Sequence, residues 1–357
     1  MRTTQKSMNP FAVVAALGGA VLFGASTPFA KQLVGAMPAL LLAGLLYLGA
    51  GIGLVTIQLI RDKTWRLPRL LSAEWRAWSG TIIFGGMLGP ILLMFGLGHT
   101  SAGSASLLLN LEATFTALLA WIFFRENAGG RVILGMTLII AGGIALSWPT
   151  SEDRTPNVWA TLLIASACLS WAIDNNLTRK ISTADPLFLA GSKGLVAGTM
   201  NTLLAFGLGA SVPSWNSAAL AMTIGFFGYG ISLCLIVLAL RGLGAARTSA
   251  YFSTAPAVGV AFAVLMFGES PSIGFWIAAT LMATGVWLHL TEYHAHQHTH
   301  EVMTHTHSHL HDEHHRHEHD FPWNGEEPHA HPHRHEALTH SHPHHPDIHH
   351  RHRHKGD

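Results

Sequence analysis

The chain has 357 residues, of which 49% are apolar and only 11% are charged. Soluble proteins carry about a quarter charged residues, so this composition argues against a water-soluble enzyme. The charge is also unevenly placed: residues 1–291 have a formal charge of +7, whereas residues 292–357 have a formal charge of −6 and hold 24 of the 26 histidines. The two cysteines, Cys168 and Cys234, lie in apolar runs and indicate neither a disulfide framework nor a cysteine metal site.

Uncharged apolar stretches recur along the first 291 residues. A helix needs roughly 20 apolar residues to cross a bilayer core about 30 Å thick. The stretch 194–240 is long enough for two spans, separated by a turn at 213–215, and the fourth span carries one charged residue, Glu112. The pattern predicts an all-α integral membrane protein with ten transmembrane helices, near residues 11–34, 37–60, 78–98, 103–124, 131–148, 158–180, 187–208, 217–240, 247–267 and 273–291.

The segments between these spans differ in charge from one side to the other. With the N-terminus inside, thirteen Lys and Arg residues fall on the cytoplasmic side and only two, Lys31 and Arg154, on the outer side. Because positively charged loops stay in the cytoplasm, we expect both termini to be cytoplasmic in a multi-pass protein of a bacterial-type inner (plasma) membrane. The apolar run after Arg2 and Lys6 imitates a secretory signal, but nine further spans favour an uncleaved first helix.

The spans form an internal repeat. An offset of 148 residues aligns 23–38 with 171–186, and an offset of 143 aligns 124–142 with 267–285, with the difference placed in the second or third span of a half. Five spans per half is an odd number, so the second half is inverted relative to the first. Inverted repeats are typical of secondary transporters, whose substrate site lies near the midplane between the halves. The predicted domains are repeat one at 10–150, repeat two at 155–291 and a tail at 292–357.

The residues of these repeats resemble the drug/metabolite transporter superfamily, specifically its two-repeat EamA-type members. The resemblance is carried by 108–113, 117–121, Arg125, Glu126, Gly135 and 141–143 in the first half, and by 253–256, 267–269 and Gly285 in the second. It covers about residues 1–291. The resemblance implies ten helices around a central cavity and the transport of small solutes, commonly by export and often coupled to protons. A long histidine-rich tail is a departure from the family's pattern.

Three charged residues stand out because they lie inside the predicted spans and away from their ends. A charge there costs about 2.5–3.5 kcal/mol on insertion scales and marks a candidate functional site. Glu112 lies near the middle of the fourth span beside Asn110, and Asp174 lies in the sixth span before Asn175. Lys193 lies near the start of the seventh span. We take these five residues as the candidate transport and coupling residues.

The charges break the symmetry of the repeat. Glu112 aligns with Ala255, and Asp174 aligns with Ser26, so each charge occurs in one half only. Asp174 and Lys193 are predicted at similar depth, where an ion pair would serve structure or gating. Glu112 is then left without a cation, and burial disfavours the ionised form of a carboxyl group. It is therefore a candidate to carry a proton or ligate a cation, the alternative being a polar contact between helices.

From residue 292 the composition becomes histidine-rich and acidic, with too few apolar residues for a core, so we expect a disordered tail. Alternate residues of an extended chain project to one side, and imidazole without thiolate suits Zn, Ni, Co or Cu(II). The tail is therefore predicted to bind such metals through many exchanging sites. The first candidate ligands are His294, His296, His298, His300, His305, His307, His309 and His311.

The sequence contains no phosphate loop, nucleophile elbow or dinucleotide fingerprint. An enzyme is therefore not expected, and no cofactor is required. The favoured hypothesis is proton-coupled export of small metabolites with a cytoplasmic metal-binding tail. The alternative is an exporter of Ni, Co or Zn fed by the tail, and a third hypothesis makes the spans an anchor for a metal store. The expected partners are the lipid bilayer and a small-molecule or metal-ion substrate, with a homodimer left open and no nucleic acid.

Overall fold

The computed structural model describes residues 10–63, 72–124, 130–147, 158–178, 181, 185–243, 248, 251–291 and four tail segments, 295–299, 303–309, 329–335 and 339–343. The α-helices in these residues are α1 Pro10–Leu33, α2 Ala39–Asp62, α3 Ser72–Thr81, α4 Gly89–Leu97, α5 Ala102–Leu108, α6 Leu111–Phe124, α7 Gly130–Ser147, α8 Val158–Thr178, α9 Pro186–Gly207, α10 Trp215–Gly225, α11 Ser232–Leu243, α12 Ala255–Leu265 and α13 Ile273–Leu290. Two π-helical segments, Ile82–Leu88 and Phe226–Ile231, join α3 to α4 and α10 to α11.

The helices coincide with the predicted spans. Six helical runs are long and apolar enough to cross a membrane by length and composition: Pro10–Leu33, Ala39–Asp62, Glu74–Leu97, Ala102–Phe123, Val158–Thr178 and Trp215–Ala239. Shorter apolar helices occupy the predicted fifth, ninth and tenth spans, and α9 occupies the seventh. The third span begins at Ser72, because the turn around Glu74 and Arg76 is helical but too polar for a charge-free window. The all-α membrane fold is confirmed.

The fourth and ninth spans are broken near their middle. The fourth turns at 109–110, between α5 and α6, where Asn110 donates from its backbone N and its Nδ2 to the Leu107 carbonyl at 3.1 and 3.0 Å. The ninth turns at 253–254, before α12, where Thr254 donates from its backbone N and its Oγ1 to the Tyr251 carbonyl at 3.1 and 2.7 Å. The two breaks lie 144 residues apart, within one residue of the offset of 143. A broken span exposes backbone groups inside the membrane.

The π-helical segments are also related by the offset of 143. Each carries glycines, at Gly85 and Gly86 in the first and at Gly228 and Gly230 in the second. Short π-helical segments inside α-helices are frequent at functional sites. The symmetry of the breaks and of the π-helical segments means that the backbone repeats its irregularities as well as its helices.

Glycines bring α2 and α9 into close contact at the centre of the bundle. A Cβ atom on Gly51 would overlap the backbone N of Leu195, and one on Gly198 would overlap the backbone N of Leu48. The contact partners run in opposite directions along the two helices, so α2 and α9 are antiparallel, as inverted repeats require. An offset of 147 residues exchanges the two contacts. The pseudo-twofold axis therefore passes through this crossing, where small residues let backbones approach.

Polar contacts fasten the ends of the spans. The Glu269 carboxylate accepts hydrogen bonds from the backbone N–H groups of Ala102 at 2.7 Å and Gly103 at 2.9 Å. It thereby caps the N-terminus of α5 and ties the ninth span to the fourth. At the other end of the bundle, Arg61 Nη2 lies 2.6 Å from Asp185 Oδ2 and joins α2 to α9. This second end is called the tail end, because α13 finishes there and the histidine-rich tail follows.

The described parts of the tail are β-strands, which differs from the disorder expected for it. Strand β1 (Ala295–Thr299) pairs with β4 (Thr339–Pro343), and β2 (Met303–His309) pairs with β3 (His329–His335), both antiparallel. The pairing is nested, like one long interrupted hairpin. An antiparallel ladder satisfies backbone N–H and C=O groups without an apolar core, which a prediction based on low apolar content does not consider.

Candidate functional site

The break in the fourth span places Glu112 in the first turn of α6. Its backbone N donates to the Leu109 carbonyl at 3.1 Å, so the chain resumes the helix directly at this residue. Asn110 closes the end of α5 and is itself buried. The first turn of a helix favours negative charge because its free N–H groups carry partial positive charge. The backbone thus supports a carboxylate in the middle of the membrane.

Asn175 of α8 is the partner of Glu112. Its Nδ2 donates to Glu112 Oε1 at 2.8 Å and lies 3.4 Å from Thr116 Oγ1. The contact joins a helix of the first half to a helix of the second half. Because the partner is a neutral amide rather than a cation, the charge of Glu112 is not compensated by direct pairing and a cation or proton remains a suitable ligand.

Asp174 and Lys193 form the predicted ion pair. Lys193 Nζ lies 2.7 Å from Asp174 Oδ2, and Thr178 Oγ1 donates to Asp174 Oδ1 at 3.2 Å. The Lys193 and Asp174 side chains are only 15% and 9% exposed. Burial of both charges makes the pair sensitive to the loss of either partner, because the remaining charge would be unpaired in an apolar medium.

The first π-helical segment lies against this pair and offers its carbonyls to neighbouring spans. The Gly85 carbonyl accepts hydrogen bonds from Tyr47 Oη at 2.7 Å and Trp171 Nε1 at 3.1 Å. The Gly86 carbonyl accepts one from Asn201 Nδ2 at 3.2 Å. These donors come from α2, α8 and α9, so three spans converge on one turn. Backbone groups that the π-helical turn exposes are satisfied in this way.

The second half has the same backbone without these charges. The offset of 143 aligns Glu112, in the first turn of α6, with Ala255, the first residue of α12, and the offset of 148 aligns Asn175 with Thr27. Gly228 packs against Ser26 in the way that Gly85 packs against Asp174, since an added Cβ would overlap the facing side chain in each case. The two contacts are exchanged by the offsets of 143 and 148. The candidate site is therefore an asymmetric feature of a symmetric scaffold.

All five candidate transport residues occur together in one region: Glu112 with Asn175, Asp174 with Lys193, and Asn110 at the break beside Glu112. The structure adds Tyr47, Trp171 and Asn201 around the π-helical turn. The sequence holds a signal for two of them, because a Tyr and an Asn occur within apolar spans. It holds none for the π-helical turn itself, since a glycine pair in a span is equally typical of close helix packing.

Five of the eight candidate metal-binding histidines of the tail lie in the described strands. His296 and His298 lie in β1 opposite His342 and His340, and His305, His307 and His309 lie in β2 opposite His333, His331 and His329. His294, His300 and His311 lie outside the described residues. Within the part of the chain that the structure describes, no three His, Cys, Asp or Glu side chains form a group that could hold a metal ion.

Comparison with known proteins gives matches over the membrane part. The model of the EamA-like transporter family matches residues 10–148 and again 158–291. An uncharacterized transporter of Methanothermobacter thermautotrophicus is 29% identical over 75% of this chain and 82% of its own length. The uncharacterized inner membrane transporter YedA of Escherichia coli K12 is 23% identical over 70% and 80%.

Two further matches differ in kind. A probable terminal-alkyne amino-acid exporter of Streptantibioticus cattleyicolor is 27% identical over 56% of this chain and 67% of its own. A protein of known crystal structure, 20% identical, superposes with a TM-score of 0.58 over 77% of this chain and 95% of its own. The likeness to this crystal structure concerns the fold alone.

Proposed function

The chain belongs to the EamA-like transporter family, and from that premise we propose that it exports small organic solutes by coupling their movement to protons. Family membership confirms the resemblance read from the two repeats, and the names of the relatives confirm a transporter rather than an enzyme. The relative in Escherichia coli is an inner membrane transporter, which supports the same location for this chain.

The observation that carries the proposal is the Glu112–Asn175 contact at the break of the fourth span. A buried carboxylate with a neutral partner can exist with or without a proton, and a broken span is where secondary transporters bind coupling ions and substrates. The equivalent residues of the other half, Ala255 and Thr27, cannot titrate. With one such carboxylate, the residues support the movement of one proton in each transport cycle.

The chemistry of the site favours an organic solute of amino-acid size. Asn175, Tyr47 and Asn201, which hydrogen-bond to Glu112 and to the π-helical turn, lie in this region, and the aromatic rings of Trp171 and Tyr229 lie beside it. Such a mixture of polar and aromatic groups suits small metabolites better than bare ions. The relative in Streptantibioticus cattleyicolor, named as a probable amino-acid exporter, supports the same size class.

The test is a comparison of external metabolites, measured by mass spectrometry, between cells that produce the wild-type chain and cells that produce Glu112→Gln. We expect one or a few amino-acid-sized compounds to accumulate outside wild-type cells only. Asp185→Asn is the matched control, because it removes a carboxylate at the tail end while an Asn still caps α9. Equal profiles for wild type and Glu112→Gln, at equal membrane abundance, would contradict the proposal.

We further propose that the tail end of the bundle is cytoplasmic and that the tail binds Zn, Ni, Co or Cu(II) there. Thirteen Lys and Arg residues against two support this orientation. Alternating histidines support metal binding through exchanging sites of moderate affinity. Ending the chain at Thr291 is expected to abolish binding of these ions to the purified protein and to leave export of the metabolite intact.

Metal export is the second candidate, and the histidine-rich tail is the observation that favours it. Its weakness is the membrane domain, whose described residues form no group of metal ligands. Elemental analysis of cellular Ni, Co and Zn separates the two candidates. If the wild-type chain lowers one metal and Glu112→Gln does not, the cargo is a metal. If metal content is unchanged or rises with the tail alone, the tail is a buffer or sensor.

A further inference from the structure

Two consecutive residues of α8 contact different parts of the transporter. Asp174 pairs with Lys193 of α9 at 2.7 Å, whereas Asn175 donates to Glu112 of α6 at 2.8 Å. Because the two residues share one helical turn, a displacement of α8 that changes one contact changes the other. The ion pair is thus mechanically linked to the proposed coupling carboxylate.

The ion pair is fitted to a gap in the neighbouring helix. The Asp174 carboxylate occupies the space where a Cβ atom of Gly85 would stand, so only glycine leaves room for it. Gly86, the next residue, faces Ala197 and the stem of Lys193. The π-helical turn Ile82–Leu88 therefore contacts both members of the pair. It closes the third span against α8 and α9 at this depth.

The pair lies between the tail end and the middle of the membrane. Asp174 is four residues from the end of α8, and Lys193 is seven residues from the start of α9. Cys168 lies six residues further from the tail end, about 9 Å along the helix, and its Sγ is 3.6 Å from the Leu108 carbonyl beside the break of the fourth span. Along α8, the pair therefore lies closer to the tail end than the break does.

The equivalent contact at the opposite end is uncharged. Gly228 of the second π-helical segment packs against Ser26 of α1, whose Oγ donates to the Phe23 carbonyl of its own helix. No interhelical ion pair is recorded there among the described residues. Separation of this contact leaves no unpaired charge in the membrane, whereas separation of Asp174 from Lys193 leaves two.

We propose that Asp174 and Lys193, seated on Gly85, form the gate at the tail end, and that the Ser26–Gly228 contact is the weaker gate at the opposite end. The resting transporter is then closed toward the tail end. Gly85 is the positioning residue of this gate. The link through Asn175 rests on the proposed role of Glu112, but the gate itself depends only on the contacts above.

Several charged or titratable groups surround Glu112. The charged or titratable groups that face it are Asp174 and Cys168 of α8, Lys193 of α9 and Tyr47 of α2. Helix α7, which also packs against α6, contributes one charged residue, Arg131, at its first turn near the tail end. Asn175 is the direct link from Glu112 to the gate.

The test uses Cys168 as a native reporter behind the gate, in the full chain with Cys234→Ala. Sealed vesicles are treated from the tail side with a membrane-impermeant maleimide. We expect slow labelling of Cys168 with the wild-type pair and labelling at least about tenfold faster with Lys193→Gln or Gly85→Ala, since the closed population falls. Lys193→Arg should stay slow because it keeps the charge. Gly228→Ala is the matched control and should not accelerate labelling from this side.

Amide exchange of the same variants gives a second readout. Lys193→Gln should speed exchange in residues 82–88 and leave 226–231 unchanged. Unchanged labelling in Lys193→Gln, equal acceleration by Gly228→Ala, or faster exchange in both segments would overturn the assignment. Neither measurement requires a cargo, so a failed gate and a failed transport assay are distinguishable.

Discussion

The two halves of the transporter share a backbone and differ in charge. Both have a broken span, both have a π-helical segment, and the glycines at 51 and 198 exchange places across the same crossing. Yet Glu112 and Asp174 align with Ala255 and Ser26, which carry no charge. The symmetric features make up the shared scaffold, and the proposed coupling residue and gate lie among the asymmetric ones.

The sharpest way to break this comparison is to remove one member of the buried pair. Lys193→Ala leaves Asp174 unpaired, and we expect a loss of about 3–5 kcal/mol in the free energy of unfolding. Ser26→Ala, at the position equivalent to Asp174, should cost about 1 kcal/mol or less. Thermal unfolding of the purified proteins in detergent measures both, and similar losses would contradict an energetic difference between the halves.

A double substitution sharpens the same point. Asp174→Leu with Lys193→Met replaces the pair by apolar side chains of similar volume, so stability should return to within about 1 kcal/mol of wild type. We expect export to stay lost, because the gate is absent. Recovery of export together with stability would mean that the pair serves the fold alone.

The glycines at the crossing of α2 and α9 should respond alike. Gly51→Ala and Gly198→Ala each place a Cβ against the backbone of the other helix, with an expected loss of about 1–3 kcal/mol. Gly207→Ala in α9, which has no atom near its added Cβ, is the matched control and should cost nothing. Unequal losses at the two crossing glycines would argue against the pseudo-twofold axis placed between them.

Glu269 tests the cap of the fourth span. Glu269→Gln removes the charge that accepts the N–H groups of Ala102 and Gly103, with an expected loss of about 1 kcal/mol. Glu126, the equivalent residue of the first half, lies outside the described residues, and symmetry predicts the same loss for Glu126→Gln. Differential scanning calorimetry compares both variants with wild type. A lower unfolding temperature in only one of them would contradict the symmetry.

The exposed Arg61–Asp185 pair should matter least. Arg61 is 46% exposed and Asp185 is 37% exposed, so water and salt screen their attraction. Arg61→Gln is expected to cost less than about 1 kcal/mol. The free energies of unfolding of wild type and Arg61→Gln should become equal as the salt concentration is raised. A larger loss that salt does not reduce would contradict a screened surface contact.

Sequence patterns were sufficient for the spans, the repeat and the three membrane charges. Charge-free runs locate apolar helices, and Asp174 and Lys193 could be paired because consecutive antiparallel spans place them at one depth. Hydropathy does not locate the breaks and π-helical segments, because it reports which residues are apolar and not how their backbone is bonded. Ala, Gly and Leu occur equally in regular and irregular parts of these spans.

The site was predicted in part for a related reason. Glu112 and Asp174 stand out because a charge in a span is costly, whereas Gly85 and Trp171 are ordinary residues there. Their importance depends on the Asp174 carboxylate and on the Gly85 carbonyl, which come near each other only in the folded bundle. Strand pairing in the tail was missed because composition alone predicts disorder.

The central claim is that Glu112 carries the proton and that the asymmetry of the halves serves this coupling. The most direct test reconstitutes wild type and Glu112→Gln in proteoliposomes with the metabolite identified from cells. We predict that Glu112→Gln loses accumulation driven by a pH gradient but keeps exchange of labelled for unlabelled metabolite at equal concentrations. Accumulation that survives in Glu112→Gln, or exchange that is lost together with accumulation, would contradict the claim.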